Sequence, residues 1–501
     1  MASETPRKTL SSGDKEITSS DDNGGAQEPL LHEIHGPENY SVYAAILPFL
    51  FPALGGLLYG YDIGATSCAT MSIQSPTLSG TSWYNLTFVE IGLFTSGSLY
   101  GALVGSVVAF NVADFLGRRR ELIVAASLFL AGALITALAV GFPTVVIGRC
   151  VYGMGIGLAM HAAPIYISET APTQIRGLLV SLKEFFIVLG MIVGFGVGSI
   201  LIDMVSGWRY MYVACTPLAV IMGIGICWLP YSPRWLLLRA IQGKGNGQNL
   251  REAAILCLRR LRGPAIGDSA PLLVDEIMGE LYYIGEEKEV TMREVFQGKC
   301  FKAVVIGAGL LLFQQITGQP SVLYYAASIL QSAGFSTAHD ATRVSILLAL
   351  LKLIMTAAAV VVVDSLGRRP LLLGGVSGMV IALFLLGSYY LFLNDALTIA
   401  IVGLLLYVGC YQISFGPIGW LMISEVFPLR LRGRGLSIAI LVNFGSNALV
   451  AFAFSPLKEL LGAGMLFYIF FVIGLSSLVF IYYVVPETKG LTLEEIEAKC
   501  L

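Results

Sequence analysis

Charged residues are scarce in this sequence of 501 residues, where Asp, Glu, Lys and Arg make up only 13% of positions. Soluble domains carry about 25% charged residues. Because 56% of the chain is hydrophobic, one aqueous core could not bury its apolar surface, and the composition indicates a membrane protein. The net charge of -2 gives no electrostatic reason to expect nucleic acid as a partner.

Histidine is rare, and the cysteines are not clustered. The sequence has 4 His and 8 Cys, scattered without a CxxC pair, so neither a zinc site nor a disulfide framework is indicated. It also lacks a phosphate-binding loop and a nucleophile–base motif. We therefore expect no metal, no cofactor and no enzymatic activity.

Twelve apolar runs divide the sequence, and each is long enough to cross a bilayer, which takes about 20 apolar residues. They predict an all-α membrane protein with twelve transmembrane helices in two pseudo-symmetric six-helix bundles. The expected parts are a disordered cytosolic tail, an N-terminal bundle, a cytosolic helical loop, a C-terminal bundle and a cytosolic tail, at 1–40, 41–230, 231–300, 301–486 and 487–501.

The distribution of Lys and Arg predicts the orientation of the chain. With both termini in the cytosol, 26 of the 31 basic residues fall in cytosolic segments and 3 fall on the opposite side. Short cytosolic loops of membrane proteins are enriched in Lys and Arg. We therefore expect both termini to be cytosolic, in a multi-pass protein that works as a monomer in the lipid bilayer.

The two halves repeat the same short motifs in the same order, which indicates a duplicated six-helix unit. The motif DFLGRR at 114–119 recurs as DSLGRR at 364–369, and a Ser-Glu pair followed by Arg-Gly also recurs. Arg fits a carboxylate with two parallel hydrogen bonds, so these groups could lock the cytosolic face closed. Simple anchoring at the membrane edge is the alternative. The predicted gating residues are Asp114, Arg118, Glu169, Arg176, Asp364, Arg368, Glu425 and Arg432.

Together with three further motifs, these repeats resemble the sugar porter family of the major facilitator superfamily. The motifs are Gln314-Gln315-Ile-Thr-Gly318, Gly416-Pro-Ile-Gly-Trp420 and Pro486-Glu-Thr-Lys-Gly490. The resemblance covers about residues 44–495 and is strongest to plant vacuolar glucose transporters and the related xylose–proton symporters. It implies the major facilitator fold.

An acidic residue inside the first apolar run, Asp62, indicates a functional site. A carboxylate at the centre of a membrane helix costs about 2.5–3.5 kcal/mol on insertion scales. We predict that Asp62 takes up and releases a proton and that Arg149, in the fourth run, is its partner. A static pair that only fixes helix packing is the alternative. The resemblance favours the proton site, because proton symporters of the family have Asp here and passive facilitators usually have a neutral residue.

The resemblance also implies a sugar site between the two halves. By analogy, sugar contacts are expected from Gln314, Gln315, Tyr324, Gly416, Trp420 and Asn443. Two positions depart from the family pattern, since Glu184 replaces a Gln and Pro320 replaces an Asn. Glu184 could bind sugar, pair with Lys183, or join Asp62 and Arg149. Lys352 is another charge inside an apolar run, without an assigned role.

These features predict a proton-coupled monosaccharide transporter, for glucose or another hexose, that works by alternating access. A passive hexose facilitator is the nearest alternative, and a non-transporting membrane sugar sensor is an alternative of another class. The expected partners are the sugar, protons and lipid. The resemblance suggests the vacuolar membrane, with the plasma membrane and the plastid envelope as alternatives.

Overall fold

The computed structural model describes residues 42–171, 175–243, 246–263, 269–286, 296–332, 337–392, 397–427, 432–489 and 496. The predicted disordered tail at 1–40 lies outside these ranges, as does most of the predicted C-terminal tail. The described residues form helices and contain no strand.

The first half of the chain consists of seven helices that make six membrane crossings. The short α6 and the following α7 lie nearly end to end and together form one apolar stretch, 207–228. The seven helices are α1 (Val42–Gln74), α2 (Phe88–Leu116), α3 (Arg118–Ala137), α4 (Phe142–Thr170), α5 (Arg176–Leu201), α6 (Gly207–Val213) and α7 (Thr216–Trp228).

Three amphipathic helices follow, namely α8 (Pro233–Ile241), α9 (Gly247–Arg262) and α10 (Ala270–Glu286). They bury a small core of their own, which includes Trp235, Leu258 and Val274. Arg262, at the end of α9, donates hydrogen bonds to the carbonyls of Thr170 (2.6 Å) and Ala171 (3.1 Å). This small bundle therefore caps the C-terminal end of α4, where carbonyl groups lack helical partners.

The second half repeats the six crossings with more interruptions. Its helices are α11 (Gly298–Ile316), α12 (Gln319–Tyr324), α13 (Ala326–Ser332), α14 (Ala338–Leu366), α15 (Arg368–Phe392), α16 (Leu397–Ile413), α17 (Phe415–Val426) and α18 (Arg432–Val484). Gly462, with a φ of 79°, divides α18 into two crossings.

The number of membrane crossings agrees with the prediction. Within the described residues, ten helical stretches are long and apolar enough to span a membrane, and one of them is the divided stretch 437–484. Counting that stretch as two and adding the 33-residue α1 gives twelve.

Two crossings of the second half are interrupted within their apolar stretches, beside the predicted sugar-binding residues. Gly318, with a φ of 99°, separates α11 from α12, and Ser414 separates α16 from α17. A proline such as Pro320 inside an apolar run predicts a helix break near it. The break lies at Gly318, because glycine alone tolerates that φ easily, and Pro320 lies in the first turn of α12, where proline is favoured.

The repeated DxxGRR motif has the same structure in both halves. Its glycine has a positive φ in each copy, 76° at Gly117 and 95° at Gly367. The second arginine of each motif donates to the end of the last helix of its half: Arg119 to the Ile226 carbonyl (3.3 Å) and Arg369 to the Tyr482 carbonyl (2.6 Å). The duplication is thus visible in the hydrogen bonds as well as in the sequence.

Small residues hold α2 and α4 in backbone contact. A Cβ atom added to Gly101 would overlap the Cys150 carbonyl, and one added to Gly153 would overlap the Ser98 carbonyl. The spacing of glycines in α2 predicts such close packing. The consequence is that Arg149, on α4, lies directly beside Ser98 on α2.

Replacing Gly101 with Val should separate these two helices. Overpacking a close helix contact costs about 1–3 kcal/mol, so we expect a lower melting temperature in detergent, followed by tryptophan fluorescence. The matched control is Gly196→Val, because no atom of another helix lies within 4 Å of a Cβ at that position of α5. Equal melting temperatures for the two variants would contradict the close packing.

Candidate functional site

A fully buried ion pair joins α1 to α4. Arg149 Nη1 lies 3.0 Å from Asp62 Oδ1, and the two side chains are only 1% and 2% exposed. A second contact runs from Arg149 Nη2 to Asp62 Oδ2 at 3.4 Å. Because a buried charge without a partner is very unfavourable, each group is the counter-charge that the other needs.

Hydroxyl groups from three helices surround this pair. Ser98 donates to Asp62 Oδ2 at 2.7 Å, and Thr66 donates to Oδ1 at 3.3 Å. Arg149 in turn donates to the Tyr212 hydroxyl at 2.8 Å and to the Thr95 carbonyl at 3.2 Å. Ser98 and Thr66 are therefore hydrogen-bond partners of Asp62. Tyr212 and Thr95 are partners of Arg149 that do not depend on the charge of Asp62.

Sequence reasoning missed this hydroxyl shell. Thr66 carries a usable signal, because residues four apart lie on the same face of a helix and Thr66 follows Asp62 by four. Ser98 and Tyr212 carry none, because Ser and Tyr are common in membrane helices and only the packing of α2 and α6 brings them here.

A second polar cluster lies in the other half, at the broken crossings. Gln314 donates from Nε2 to the Phe415 carbonyl at 2.8 Å, and Asn443 Nδ2 lies 3.5 Å from Gln314 Oε1. Gly416 follows directly, and a Cβ there would crowd the amide of Gln412. The structure thus brings three predicted sugar-binding positions together.

Four buried polar atoms around this cluster lack a hydrogen-bond partner among the described residues. They are Gln315 Oε1, Tyr324 Oη, Gln412 Oε1 and Asn447 Oδ1. Leaving a buried polar group unpaired costs about 1–3 kcal/mol. Such a group of unpaired atoms fits a ligand rich in hydroxyl groups, which can both donate and accept. Sequence reasoning identified Gln315 and Tyr324 but missed Gln412 and Asn447.

Tyr324 and Trp420 connect the two halves. Tyr324, on α12, is buried and interacts electrostatically with both Asp62 and Arg149. Trp420, on α17, lies beneath the ammonium group of Lys183, 5.6 Å from the ring centroid. At the far end of α1 the halves meet directly, where the Ala327 amide donates to Ser67 Oγ at 3.3 Å.

Glu184 belongs to neither of the ion pairs considered for it. The hydrogen bonds that Arg149 makes go to other groups, and the Lys183 ammonium lies over Trp420. Glu184 is half-buried on α5 and interacts electrostatically with Lys352 on α14.

Two of the predicted gating pairs are present, and each lies within one half. Arg118 Nε is 3.3 Å from Glu169 Oε1, and Arg368 Nη2 is 2.9 Å from Glu425 Oε1. The pairs join α3 to α4 and α15 to α17, in matching positions of the repeat. The side chains of Asp114, Arg176, Asp364 and Arg432 lie outside the described part of the structure.

Glu487 supports the second of these pairs. Its carboxylate accepts backbone N–H bonds from Lys489 (2.9 Å), Arg368 (3.1 Å), Arg369 (3.0 Å) and Thr488 (3.0 Å). Burial alone would raise the pKa of Glu487, but these four bonds outweigh burial and lower it. The carboxylate therefore fixes the start of α15, which carries Arg368.

Fold and site together define a twelve-helix secondary transporter with a buried charged pair in one half and unpaired polar groups in the other. A family model described as "Sugar (and other) transporter" matches residues 49–499, and the chain belongs to this family. It is therefore a multi-pass membrane transporter of the major facilitator superfamily and not an enzyme, as the sequence predicted.

Individual relatives agree with this assignment. The chain is 73% identical to "D-xylose-proton symporter-like 2" of Arabidopsis thaliana over 95% of its length and 94% of the relative. It is 61% identical to "D-xylose-proton symporter-like 3, chloroplastic" of the same plant, over 96% and 86% of the two chains. The structure of the proton:xylose symporter XylE of E. coli, bound to 6-bromo-6-deoxy-D-glucose, matches with a TM-score of 0.72 and 29% identity, over 92% of this chain and 100% of XylE.

Glu487→Gln should destabilise the protein at neutral pH. Because the pKa of Glu487 is lowered by folding, its stabilisation is present above the unfolded pKa of about 4.3 and is lost as pH falls through the folded pKa. We expect the melting temperatures of variant and wild type to differ at pH 7 and to converge below pH 4. Glu459→Gln, at an exposed glutamate, is the control. A difference that persists unchanged in acid would contradict this role.

Proposed function

We propose that the protein is a proton-coupled monosaccharide transporter that works by alternating access, with Asp62 as the proton site. Family membership supports sugar transport, and the names of the relatives support proton coupling. The observation that carries the proposal is the buried Asp62–Arg149 pair with its shell of hydroxyl groups.

The proton site works by an exchange of partners. When Asp62 takes up a proton, it loses its attraction to Arg149, and Arg149 keeps the Tyr212 hydroxyl and the Thr95 carbonyl as acceptors. Neutral Asp62 can still hydrogen-bond to Ser98. When the pair opens, Arg149 therefore keeps neutral hydrogen-bond acceptors, which reduce the cost of its uncompensated charge.

Sugar binding is coupled to this exchange through Tyr324. Its hydroxyl lacks a hydrogen-bond partner among the described residues, yet it interacts electrostatically with Asp62 and Arg149. A sugar that binds Gln314, Gln315, Asn443 and Trp420 also meets Tyr324, which lies on the short half-helix α12. Gradient-driven transport needs such a link, because sugar and proton must favour the same states.

The substrate proposed is an aldose in its pyranose form. Glucose, our expectation from the sequence, and xylose, which occurs in the names of the relatives, differ only by the exocyclic hydroxymethyl group.

We also propose that the protein is a monomer in the vacuolar membrane and that both of its termini lie in the cytosol. The chloroplastic relative makes the plastid envelope the main alternative.

The function is tested by sugar uptake into proteoliposomes with and without an imposed pH gradient. We expect the wild type to accumulate labelled glucose or xylose when a gradient is present. Asp62→Asn should only equilibrate the sugar, because a neutral amide cannot take up the proton. If the wild type equilibrates both sugars and ignores the gradient, the protein is a passive facilitator.

The two ion pairs of the repeat should control the rate of transport and not its coupling. We propose that Glu169 and Glu425 stabilise one orientation of their helices, so Glu169→Gln and Glu425→Gln should each change turnover several-fold. The ratio of protons to sugar should remain that of the wild type. Glu252→Gln, on the exposed face of α9, is the control. Unchanged turnover in both variants would make these pairs simple membrane anchors.

A further inference from the structure

An open cavity lies at the end of the first half that is opposite the small bundle. Three segments surround it, namely the loop between α1 and α2, the turn between α3 and α4, and the start of α6. The 20-residue α3, about 30 Å long, separates the cavity from the gating pair of Arg118. Under the proposed orientation, the cavity faces away from the cytosol.

Hydrogen bonds between the three segments hold the cavity in shape. Trp208, at the start of α6, donates from Nε1 to the Ser79 carbonyl at 2.9 Å. Trp83, in the loop between α1 and α2, donates from Nε1 to the Val140 carbonyl at 3.0 Å. The cavity is thus formed by the fold itself, and a ligand does not have to order it.

Arg209 is the only charged residue among the described residues that line the cavity. It donates from Nη1 to the Ala137 carbonyl at 2.6 Å, and its guanidinium carbon lies 4.5 Å from the centroid of the Trp208 ring. No carboxylate of a described residue lies within 4.0 Å of its nitrogen atoms. A guanidinium group has five N–H donors, so those that Ala137 does not use are available to an anion in the cavity.

The size and the polar groups of the cavity suit a phosphate group. Its volume is about 360 Å³, whereas one water molecule needs about 10–15 Å³. Thr81 and Ser82 line it, and Thr81 Oγ1 is buried without a hydrogen-bond partner among the described residues. Arginine binds phosphate with two parallel hydrogen bonds, and hydroxyl groups can donate to the remaining phosphate oxygens.

Apolar side chains at the rim indicate that this phosphate belongs to a lipid. Leu138 and Val140, in the turn that follows the membrane-spanning α3, are 75% and 89% exposed. Trp83 lines the cavity, and Tyr210, the residue after Arg209, is exposed. Trp and Tyr are enriched where a membrane protein meets the lipid headgroups. Acyl chains can therefore cover Leu138 and Val140 while the phosphate of the same lipid reaches Arg209.

We infer that this cavity binds an anionic phospholipid, whose phosphate group pairs with Arg209 and whose acyl chains lie along Leu138 and Val140. The negative charge of the lipid balances a guanidinium group that has no carboxylate partner among the described residues. The lipid also holds α6 in place, and α6 carries Tyr212, which accepts from Arg149 at 2.8 Å. The site goes beyond the proposed function, because neither the sugar nor the transported proton takes part in it.

The inference is tested by titrating the purified protein in dodecyl maltoside micelles with phosphatidylglycerol and counting bound lipids by native mass spectrometry. The wild type should bind one phosphatidylglycerol more tightly than phosphatidylcholine. Arg209→Gln should weaken that binding about tenfold or more, because it removes the charged partner of the phosphate. The matched control is Arg343→Gln, at an exposed arginine 3.9 Å from Asp340, which should stay within about twofold of wild type.

A second pair of variants keeps the hydrogen bond from Arg209 to Ala137. Leu138→Glu places a carboxylate at the exposed rim, so it should weaken phosphatidylglycerol binding several-fold more than the uncharged Leu138→Gln does. Because Leu138 is exposed, both variants should melt at the wild-type temperature without lipid. Inorganic phosphate in about tenfold excess should not displace the lipid, because it makes no contact with the apolar rim.

Three outcomes would overturn the inference. Equal phosphatidylglycerol affinity in wild type and Arg209→Gln would show that the guanidinium group does not bind the lipid. Equal affinity in Leu138→Glu and Leu138→Gln would show that no anion lies at the rim. Displacement of the lipid by inorganic phosphate would show that the cavity binds a free anion instead. These measurements involve no transport, so their failure is distinct from a failure of the proposed function.

Discussion

The attraction between Asp62 and Arg149 is the interaction on which the rest of the structure depends. Neither charge is tolerable alone in the membrane, and breaking a buried pair by removing one partner costs about 3–5 kcal/mol. The surrounding groups reduce that cost, because the Thr95 carbonyl and the Tyr212 hydroxyl already accept from Arg149. The pair is therefore stable as it stands, and the proposed proton uptake by Asp62 would leave Arg149 with these two acceptors.

The two halves of the duplicated chain differ in their helix packing and in the polar groups they bury. In the first half, the backbones of α2 and α4 are in contact at Gly101 and Gly153. This half also carries the charged pair. The second half is interrupted at Gly318 and Ser414 and carries most of the unpaired amide groups. Sugar is proposed to bind where these interruptions leave buried polar atoms unpaired, and the first half is proposed to supply the proton site.

Much of this architecture could be predicted from the sequence, because its signals are local and repeated. The length of the apolar runs predicted the twelve crossings. The free-energy cost of a carboxylate inside a membrane helix marked Asp62 as a functional candidate. The hydroxyl shell could not be predicted, because Ser98 and Tyr212 approach Asp62 and Arg149 only through helix packing. The same holds for the break at Gly318, which depends on a positive φ, and for Glu184, which interacts with Lys352 of the other half.

The central claim is that sugar moves together with a proton that Asp62 carries. Sugar-evoked current across a solid-supported membrane tests it most directly, because a neutral sugar carries no charge of its own. The account predicts a current in wild-type proteoliposomes when glucose or xylose is added, and its loss in Asp62→Asn. Sugar uptake by the wild type without any current, or a full current in Asp62→Asn, would contradict the account.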